Sequence, residues 1–239
     1  MAAVKGAVAS LDTSADANGM DASAVAERLQ GVRDRITSCG GDPARTGIVA
    51  VTKGFGPEAV RAACLAGLSD VGENYAQELL AKRQSSPRGI RWHFLGSVQR
   101  NKVKRLAPCV DAWHGIDRPA IAESVAAAAP GARVFAEVNT ARSPRRPGCD
   151  PGDLDELVEV CRRLPLDLVG LMTVAPQGDP TAARESFRWL AAAARRLGLR
   201  ELSMGMSDDF EVAVQEGATT LRLGRVLFGP RPSRDAVQR

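Results

Sequence analysis

The chain has 239 residues, of which 44% are hydrophobic and 25% charged, and its net charge is +4. This composition is typical of a globular protein that buries one substantial core. No apolar run approaches the roughly 18 residues that cross a bilayer, so we expect no membrane partner. The excess positive charge comes from arginines spread along helical stretches without a recognisable nucleic-acid-binding module, so we expect no nucleic-acid partner either.

The cysteines are scattered, without a Cys-x-x-Cys pair or the His/Cys spacing of a zinc site. This pattern argues against a disulfide framework and against a metal site, and we interpret the cysteines as small core residues. They are Cys39, Cys64, Cys109, Cys149 and Cys161.

The two ends of the chain differ from its middle. Residues 1–20 are mostly Ala, Ser, Asp, Gly and Asn and lack the apolar stretch of a signal peptide, so they are predicted to be a disordered tail on a cytoplasmic protein. Residues 21–232 contain no Pro/Ser-rich linker and are predicted to form one domain, followed by a C-terminal tail over residues 233–239. No apolar surface helix is evident, which favours a monomer.

Hydrophobic periodicity predicts one leading helix and then a regular alternation of strands and helices. The leading helix covers Ser23 to Ser38, with Ser23 as its N-cap and one apolar face. Strands are predicted near residues 47–53, 69–73, 90–96, 110–116, 132–139, 167–174, 200–205 and 219–224. The helices between them are predicted at Pro57 to Leu68, Ala76 to Arg83, Arg118 to Ala129, Gly152 to Leu164, Thr181 to Leu197 and Ser207 to Glu216.

Eight strand–helix units in this length predict a single α/β domain, a (β/α)₈ barrel of the TIM type with an additional N-terminal helix. A doubly wound open sheet is the competing architecture. It is disfavoured because no Gly-rich dinucleotide-binding motif follows the first strand, and because eight units is the number that closes a barrel.

In such a barrel, ligands bind where the strands end, so the residues just past the strand ends are the candidates for a site. They are Lys53; Glu73, Asn74 and Tyr75; His93, Gly96 and Gln99; His114; Asn139; Met172; Ser207, Asp208 and Asp209; and Arg222 with Gly224.

The first and last strands carry the most informative of these residues. Lys53 follows the buried run Ile48 to Val51 and precedes a Gly-rich turn. After the seventh strand, Ser207 lies where free backbone N–H groups suit a phosphate, and Gly224 after the eighth strand lets backbone N–H groups approach a ligand. Because the first strand of a closed barrel pairs with the eighth, Lys53 is predicted to lie beside this phosphate site. An amine beside a fixed anion site is what pyridoxal phosphate requires.

Each feature also has a purely structural interpretation. Lys53 could be solvated, and Ser207 with its neighbouring carboxylates could be only a helix cap. Arg222 could pair with a core carboxylate, and Gly224 could be a turn glycine. His93 and His114, the two histidines of the chain, lie in apolar strand contexts and are interpreted as structural rather than catalytic.

Six blocks of the sequence together resemble the pyridoxal phosphate homeostasis proteins, in order from about residue 23 to residue 231. They are Val49-Ala50-Val51-Thr52-Lys53; Gly72-Glu73-Asn74-Tyr75 with Gln77-Glu78; Trp92-His93-Phe94-Leu95-Gly96 with Gln99 and Asn101-Lys102; Gly170-Leu171-Met172-Thr173; Ser203 to Asp209; and Leu221-Arg222-Leu223-Gly224 through Phe228-Gly229.

The resemblance implies a barrel like the N-terminal domain of alanine racemase, with pyridoxal 5'-phosphate carried as a Schiff base on Lys53. It implies that Ser207 and the backbone at Gly224 and Arg225 hold the phosphate, that Arg222 faces the pyridine nitrogen, and that Asn74 and Met172 line the ring. It further implies a role in intracellular vitamin B6 homeostasis, in which apo-forms of pyridoxal phosphate enzymes are candidate partners.

Two observations favour a carrier without catalytic turnover over the alternative, a racemase-like enzyme of low activity. An arginine at the pyridine nitrogen leaves that nitrogen unprotonated and the ring a poorer electron sink. Racemisation also needs a second acid/base group, which alanine racemase takes from a tyrosine of a separate domain. The one tyrosine of this chain, Tyr75, is predicted to follow the second strand.

The chain departs from the family pattern at Arg146, where family members usually have a lysine. An arginine keeps the positive charge but does not form an imine at ordinary pH. If family members pass the cofactor through a second lysine there, this protein does not. Lys102 and Lys104 are other amines, and both are expected to be solvated.

Overall fold

The computed structural model of the protein describes residues 20–144 and 146–231. The predicted tails therefore lie outside the described residues, except for Met20. No helix in the described part of the chain is long and apolar enough to cross a membrane.

Eight parallel strands close into a barrel in which each strand pairs with the next and the last pairs with the first. The strands are β1 (Gly47–Val51), β2 (Asp70–Glu73), β3 (Arg91–Phe94), β4 (Ala112–Ile116), β5 (Ala132–Glu137), β6 (Leu166–Met172), β7 (Glu201–Ser203) and β8 (Thr220–Leu223). The predicted (β/α)₈ barrel is confirmed, and the open sheet is wrong.

Helices follow the strands around the outside of the barrel, after one leading helix. They are α1 (Ala22–Ser38), α2 (Pro57–Leu65), α3 (Ala76–Gln84), α4 (Arg100–Leu106), α5 (Pro119–Ala128), α6 (Leu154–Arg163), α7 (Pro180–Arg196), α8 (Phe210–Gln215) and α9 (Arg225–Phe228), and a 3₁₀ turn covers Ala107–Cys109.

The leading helix was predicted with the wrong cap. Its N-cap is Asp21, whose carboxylate accepts hydrogen bonds from the backbone N–H groups of Ser23 and Ala24. The apolar face was predicted correctly, because Val25, Leu29 and their periodic neighbours are fully buried. An aspartate caps as well as a serine does, so composition alone could not choose between the two positions.

Two further differences concern short helices. The sequence did not predict helix α4, because five of its seven residues are polar or charged and only Val103 and Leu106 are buried. Two apolar residues are too few to show a helical period. Helix α8 begins at Phe210 and not at the predicted Ser207, so the serine and the two aspartates form the turn that precedes it.

The barrel interior is polar near the carboxyl ends of its strands. His114, Glu137, Ser203 and Arg222 are all buried. His114 on β4 hydrogen-bonds Ser203 on β7, and because these strands are not neighbours the contact crosses the interior. Buried polar groups of this kind are costly unless each is hydrogen-bonded, so they mark the region where a function is expected.

Candidate functional site

A cavity of about 660 Å³ opens at the carboxyl ends of the strands. All seven predicted binding residues line it, namely Lys53, Asn74, Met172, Ser207, Arg222, Gly224 and Arg225. The closed barrel brings them together because β1 lies beside β8. That these residues bind a cofactor stays a prediction.

The other residues at strand ends divide into two groups. Asp208 also lines the cavity, and its carboxylate pairs with Arg225. The remaining candidates do not line the cavity; they are Glu73, Tyr75, His93, Gly96, Gln99, His114, Asn139 and Asp209. Gly96 still shapes the site, because a Cβ there would lie 2.1 Å from the backbone oxygen of Asn74. Only glycine lets the backbone just after β3 approach Asn74 so closely.

Lys53 is half-buried just after the end of β1, and its environment lowers the pKa of its amine. Burial lowers the pKa of Lys53, and the nearby cations Arg231 and Arg222 lower it further. A lysine with a depressed pKa is a better nucleophile at neutral pH, because more of it carries a free electron pair. Lys53 thus lies in the wall of the cavity rather than on the open surface, and its role there stays a prediction.

A second, buried lysine fixes the backbone on both sides of Lys53. The Lys82 ammonium donates to the carbonyl oxygen of Thr52 at 2.8 Å, to Glu73 Oε1 at 2.5 Å and to Glu78 Oε2 at 3.1 Å. Glu78 in turn accepts from the backbone N–H of Gly54 at 2.9 Å, and the hydroxyl of Thr52 donates to Glu73 at 2.6 Å. We call Glu73, Glu78 and Lys82 the lysine clamp, because they hold the residues before and after Lys53.

Arg222 is buried and held by oxygens of β7 and of the segment that follows β6. Its guanidinium donates to the backbone oxygen of Ser203 at 2.6 Å, to the Ser203 hydroxyl at 2.8 Å and to the backbone oxygen of Thr173 at 2.8 Å. Burial lowers the pKa of Arg222 to about 10, which leaves it a cation at neutral pH. The alternative that Arg222 pairs directly with a core carboxylate is wrong, because these three acceptors hold it.

Glu137, at the end of β5, is an orphaned carboxyl group. It is 2% exposed, and its Oε2 has no hydrogen-bond partner in the described part of the chain. Burial raises the pKa of Glu137 to about 8, and the negative charge of Asp117 acts in the same direction. At neutral pH this side chain is therefore largely a neutral acid that is able to donate a hydrogen bond.

The turn after β7 is tied to the segment after β8. The hydroxyl of Ser207 accepts a hydrogen bond from the backbone N–H of Val226 at 3.2 Å, so it caps the start of α9 rather than α8. Gly224 precedes α9 and packs against β1, because a Cβ there would lie 3.1 Å from the backbone oxygen of Val51. These contacts place the Ser207 hydroxyl and the backbone of Gly224 and Arg225 around one end of the cavity.

The two candidate secondary amines, Lys102 and Lys104, and Arg146, which replaces the family lysine, lie in different places. The Arg146 guanidinium donates to the backbone oxygens of Val174 at 2.8 Å and Ala175 at 2.5 Å, so it braces the loop after β6. Lys104 lines a separate cleft between α3 and α4, and Lys102 lies on α4 away from the cavity lining.

Sequence reasoning missed three residues that shape the site. Lys82 has a recognisable signal, since it lies four residues after Glu78 on α3 and forms an ion pair with it. Glu137 was missed because the fifth strand was predicted to run to residue 139, whereas β5 ends at Glu137. Arg231 was placed within the domain, and nothing in its local sequence indicates that it lines the cavity.

The fold and the site together define a class of protein. It is a (β/α)₈ barrel in which a lysine after the first strand and a polar turn between the last two strands line the same cavity. The family model for the alanine racemase N-terminal domain matches residues 15–232. The pyridoxal phosphate homeostasis protein of Pseudomonas aeruginosa is 41% identical over 212 residues, covering 84% of this chain and 91% of that protein.

Solved structures agree with these matches. PipY of Synechococcus elongatus, determined with pyridoxal phosphate bound, is 33% identical with a TM-score of 0.76, covering 86% of this chain and all of PipY. Alanine racemase of Bacillus anthracis is 15% identical with a TM-score of 0.69, covering 91% of this chain and 58% of the racemase, and shows the fold alone. The chain belongs to the pyridoxal phosphate homeostasis proteins, within the family of the alanine racemase N-terminal domain.

Proposed function

We propose that the chain binds pyridoxal 5'-phosphate through the Lys53 amine and takes part in vitamin B6 homeostasis. The observation that carries this proposal is that an amine of lowered pKa and a polar turn built from Ser207, Gly224 and Arg225 line one cavity. The fit is supported by charge, because Lys53, Arg222, Arg225 and Arg231 line the cavity against one carboxylate, and the cofactor is an anion.

Each group in the cavity has a defined task in this proposal. The Lys53 nitrogen replaces the aldehyde oxygen of the cofactor and water is released, giving a Schiff base. Ser207 and the backbone N–H groups at Gly224 and Arg225 hold the phosphate, and Asn74 and Met172 line the ring. Arg222 faces the ring nitrogen as a donor that does not give up its proton, which leaves the ring a weaker electron sink.

We further propose that this site carries the cofactor without catalytic turnover. Racemisation needs an acid/base group on each face of the substrate carbon. Among the described residues that line the cavity, Lys53 and Asp208 are the groups that could exchange a proton, and Asp208 is paired with Arg225. Tyr75 is 57% exposed at the start of α3 and does not line the cavity. Location in the cytoplasm, a monomeric state and delivery to apo-enzymes stay predictions.

Borohydride trapping tests the attachment point. The protein loaded with pyridoxal phosphate should show the visible absorbance of a protonated imine, and after reduction the label should map to Lys53 by peptide mass spectrometry. Lys53→Ala should lose both signals, and Lys104→Ala is the matched control, because Lys104 lines the other cleft. A label spread over surface lysines in the parent protein would refute the site.

Exchange of the α-proton tests the absence of turnover. Alanine and other amino acids incubated with the loaded protein in deuterated water should keep their α-hydrogen. Exchange that depends on Lys53 would support the racemase-like alternative instead.

A further inference from the structure

A chain of hydrogen bonds crosses the barrel from the start of β2 to the cavity. Asp70 Oδ1 lies 2.9 Å from His93 Nε2, and His93 Nδ1 lies 2.9 Å from His114 Nε2. His114 Nδ1 lies 2.8 Å from the Ser203 hydroxyl, which accepts from Arg222 at 2.8 Å. The chain therefore joins a carboxylate at the amino end of the sheet to the buried cation that lines the cavity.

Asp70 and Arg222, at the two ends, together set the direction of the hydrogen bonds in this chain when both imidazoles are neutral, because a carboxylate only accepts and a guanidinium only donates. A guanidinium only donates, so the Ser203 oxygen accepts from it, and the Ser203 hydrogen is free to point to His114 Nδ1. His114 then carries its proton on Nε2 and donates to His93 Nδ1. His93 in turn carries its proton on Nε2 and donates to Asp70, which as a carboxylate only accepts. All four bonds are satisfied in one direction with both imidazoles neutral.

The charges at the two ends and the burial between them support this arrangement. Burial lowers the pKa of His114 well below its usual range, and nearby cations act in the same direction, so the ring is neutral. At the far end, hydrogen bonds from His93 and Arg91 outweigh the opposing effect of burial and lower the pKa of Asp70, which stays ionised. The His114 ring is stacked on Phe135 with centroids 4.3 Å apart, which holds its plane.

We propose that Asp70, His93, His114 and Ser203 form a one-way hydrogen-bond relay whose task is to orient Arg222 in the cavity. Arg222 has five N–H donors, and its three contacts to Ser203 and Thr173 use three of them. The relay keeps the Ser203 oxygen available as an acceptor and so fixes which two N–H groups face a ligand. The relay itself is independent of the ligand, and its effect on pyridoxal phosphate rests on the proposed function.

The tautomers test the relay in the protein without ligand. The chain has two histidines in all, so ¹⁵N-histidine labelling of the tag-free protein gives two imidazole spin systems. Both rings should carry a proton on Nε2, and His114 should carry none on Nδ1. Assignment follows from His93→Asn, in which one ring remains. A proton on Nδ1 of His114, or a doubly protonated His114, would overturn the relay.

A matched pair of variants at His93 separates the relay from simple packing. In His93→Asn the amide oxygen takes the place of Nδ1 and still accepts from His114. In His93→Phe the ring is kept but the acceptor is lost, so the His114 proton should move to Nδ1 and donate to Ser203. The Ser203 oxygen then receives two donors, and the contact to Arg222 weakens.

Titration with pyridoxal phosphate reads out the consequence for the cavity. His93→Phe should bind about tenfold more weakly, and His93→Asn within about twofold of the parent protein. If His93→Phe fails to fold, Ser203→Ala serves instead. In that variant His114 should keep its proton on Nε2, and the ¹⁵N chemical shift of His114 Nδ1 should move to the value of a nitrogen that accepts no hydrogen bond. Equal affinities for Phe and Asn, or an unmoved proton in His93→Phe, would overturn the relay. The expected tautomers in a parent protein that does not bind pyridoxal phosphate would refute the proposed function while supporting the relay.

Discussion

Replacing Lys82 by methionine tests whether the lysine clamp stabilises the start of the site. The Lys82 and Glu73 side chains are 5% and 0% exposed, so the substitution leaves a carboxylate in the interior without its cation. Removing one partner of such a pair costs about 3–5 kcal/mol of unfolding free energy. Urea unfolding followed by tryptophan fluorescence measures the loss, since Trp92 and Trp113 are buried.

Two controls separate the buried charge from the loss of a side chain. Glu73→Gln combined with Lys82→Met should recover most of the loss, because no uncompensated charge remains. Lys104→Met, a change of the same atoms on an exposed residue, should change stability by no more than about 0.5 kcal/mol.

The cost of Lys82→Met should depend on pH in one direction. Burial raises the pKa of Glu73 in the folded protein above its ordinary value of 4.5, and loss of the cation raises it further. The folded variant therefore takes up a proton more readily than the unfolded chain, so the cost shrinks as the pH falls towards 4.5. A cost below about 1 kcal/mol at neutral pH, or a double variant no more stable than the single one, would refute the reasoning.

Three further predictions follow from the described contacts. Burial raises the pKa of Glu137 to about 8, so between pH 4.5 and 8 the folded protein binds a proton that the unfolded chain lacks. The free energy of unfolding should therefore fall as the pH rises from 4.5 to 8. Glu137→Gln should flatten this fall in urea titrations at several pH values, and an equally steep fall would contradict the assignment to Glu137. Arg231→Gln removes a cation that lowers the pKa of Lys53, so the pH midpoint of cofactor loading, followed by absorbance, should move up, and an unmoved midpoint would contradict this cause. Asp21→Ala should cost about 1 kcal/mol through the lost cap of α1, whereas Ser23→Ala should cost little, and a reversed order by thermal unfolding would restore Ser23 as the cap.

The sequence predicts the barrel well because the information is periodic and repeated. Eight alternations of strand and helix leave few architectures, and closure then places the end of β1 beside β8 without any knowledge of contacts. Barrel closure alone predicts that Lys53 and Arg222 lie close together although most of the chain separates them, and both residues line the cavity.

What the sequence did not predict depends on contacts between side chains across elements. Lys82 lies on a helix, where a lysine is usually solvated. Its burial is possible because three oxygen acceptors from other positions satisfy its ammonium group. Likewise His93 and His114 are hydrogen-bonded, as the structural interpretation expects, but the order of their partners needs the positions of β2, β3, β4 and β7 at once. Helix α4 was missed because two buried residues in seven give no periodic signal.

The pairing of β1 with β8 has a consequence for how the protein is made. During synthesis the segment with Lys53 leaves the ribosome long before β8, by roughly ten to thirty seconds at about 5–20 residues per second. In that interval the lysine has no partner strand on one side, and neither Arg222 nor Gly224 has been made. A nascent chain, or one cut short before β8, thus has the Lys53 amine without the burial and the cations that lower its pKa, and without the rest of the cavity. If Lys53 binds the cofactor as proposed, retention of a ligand there reports that translation has reached the last strand and that the barrel has closed.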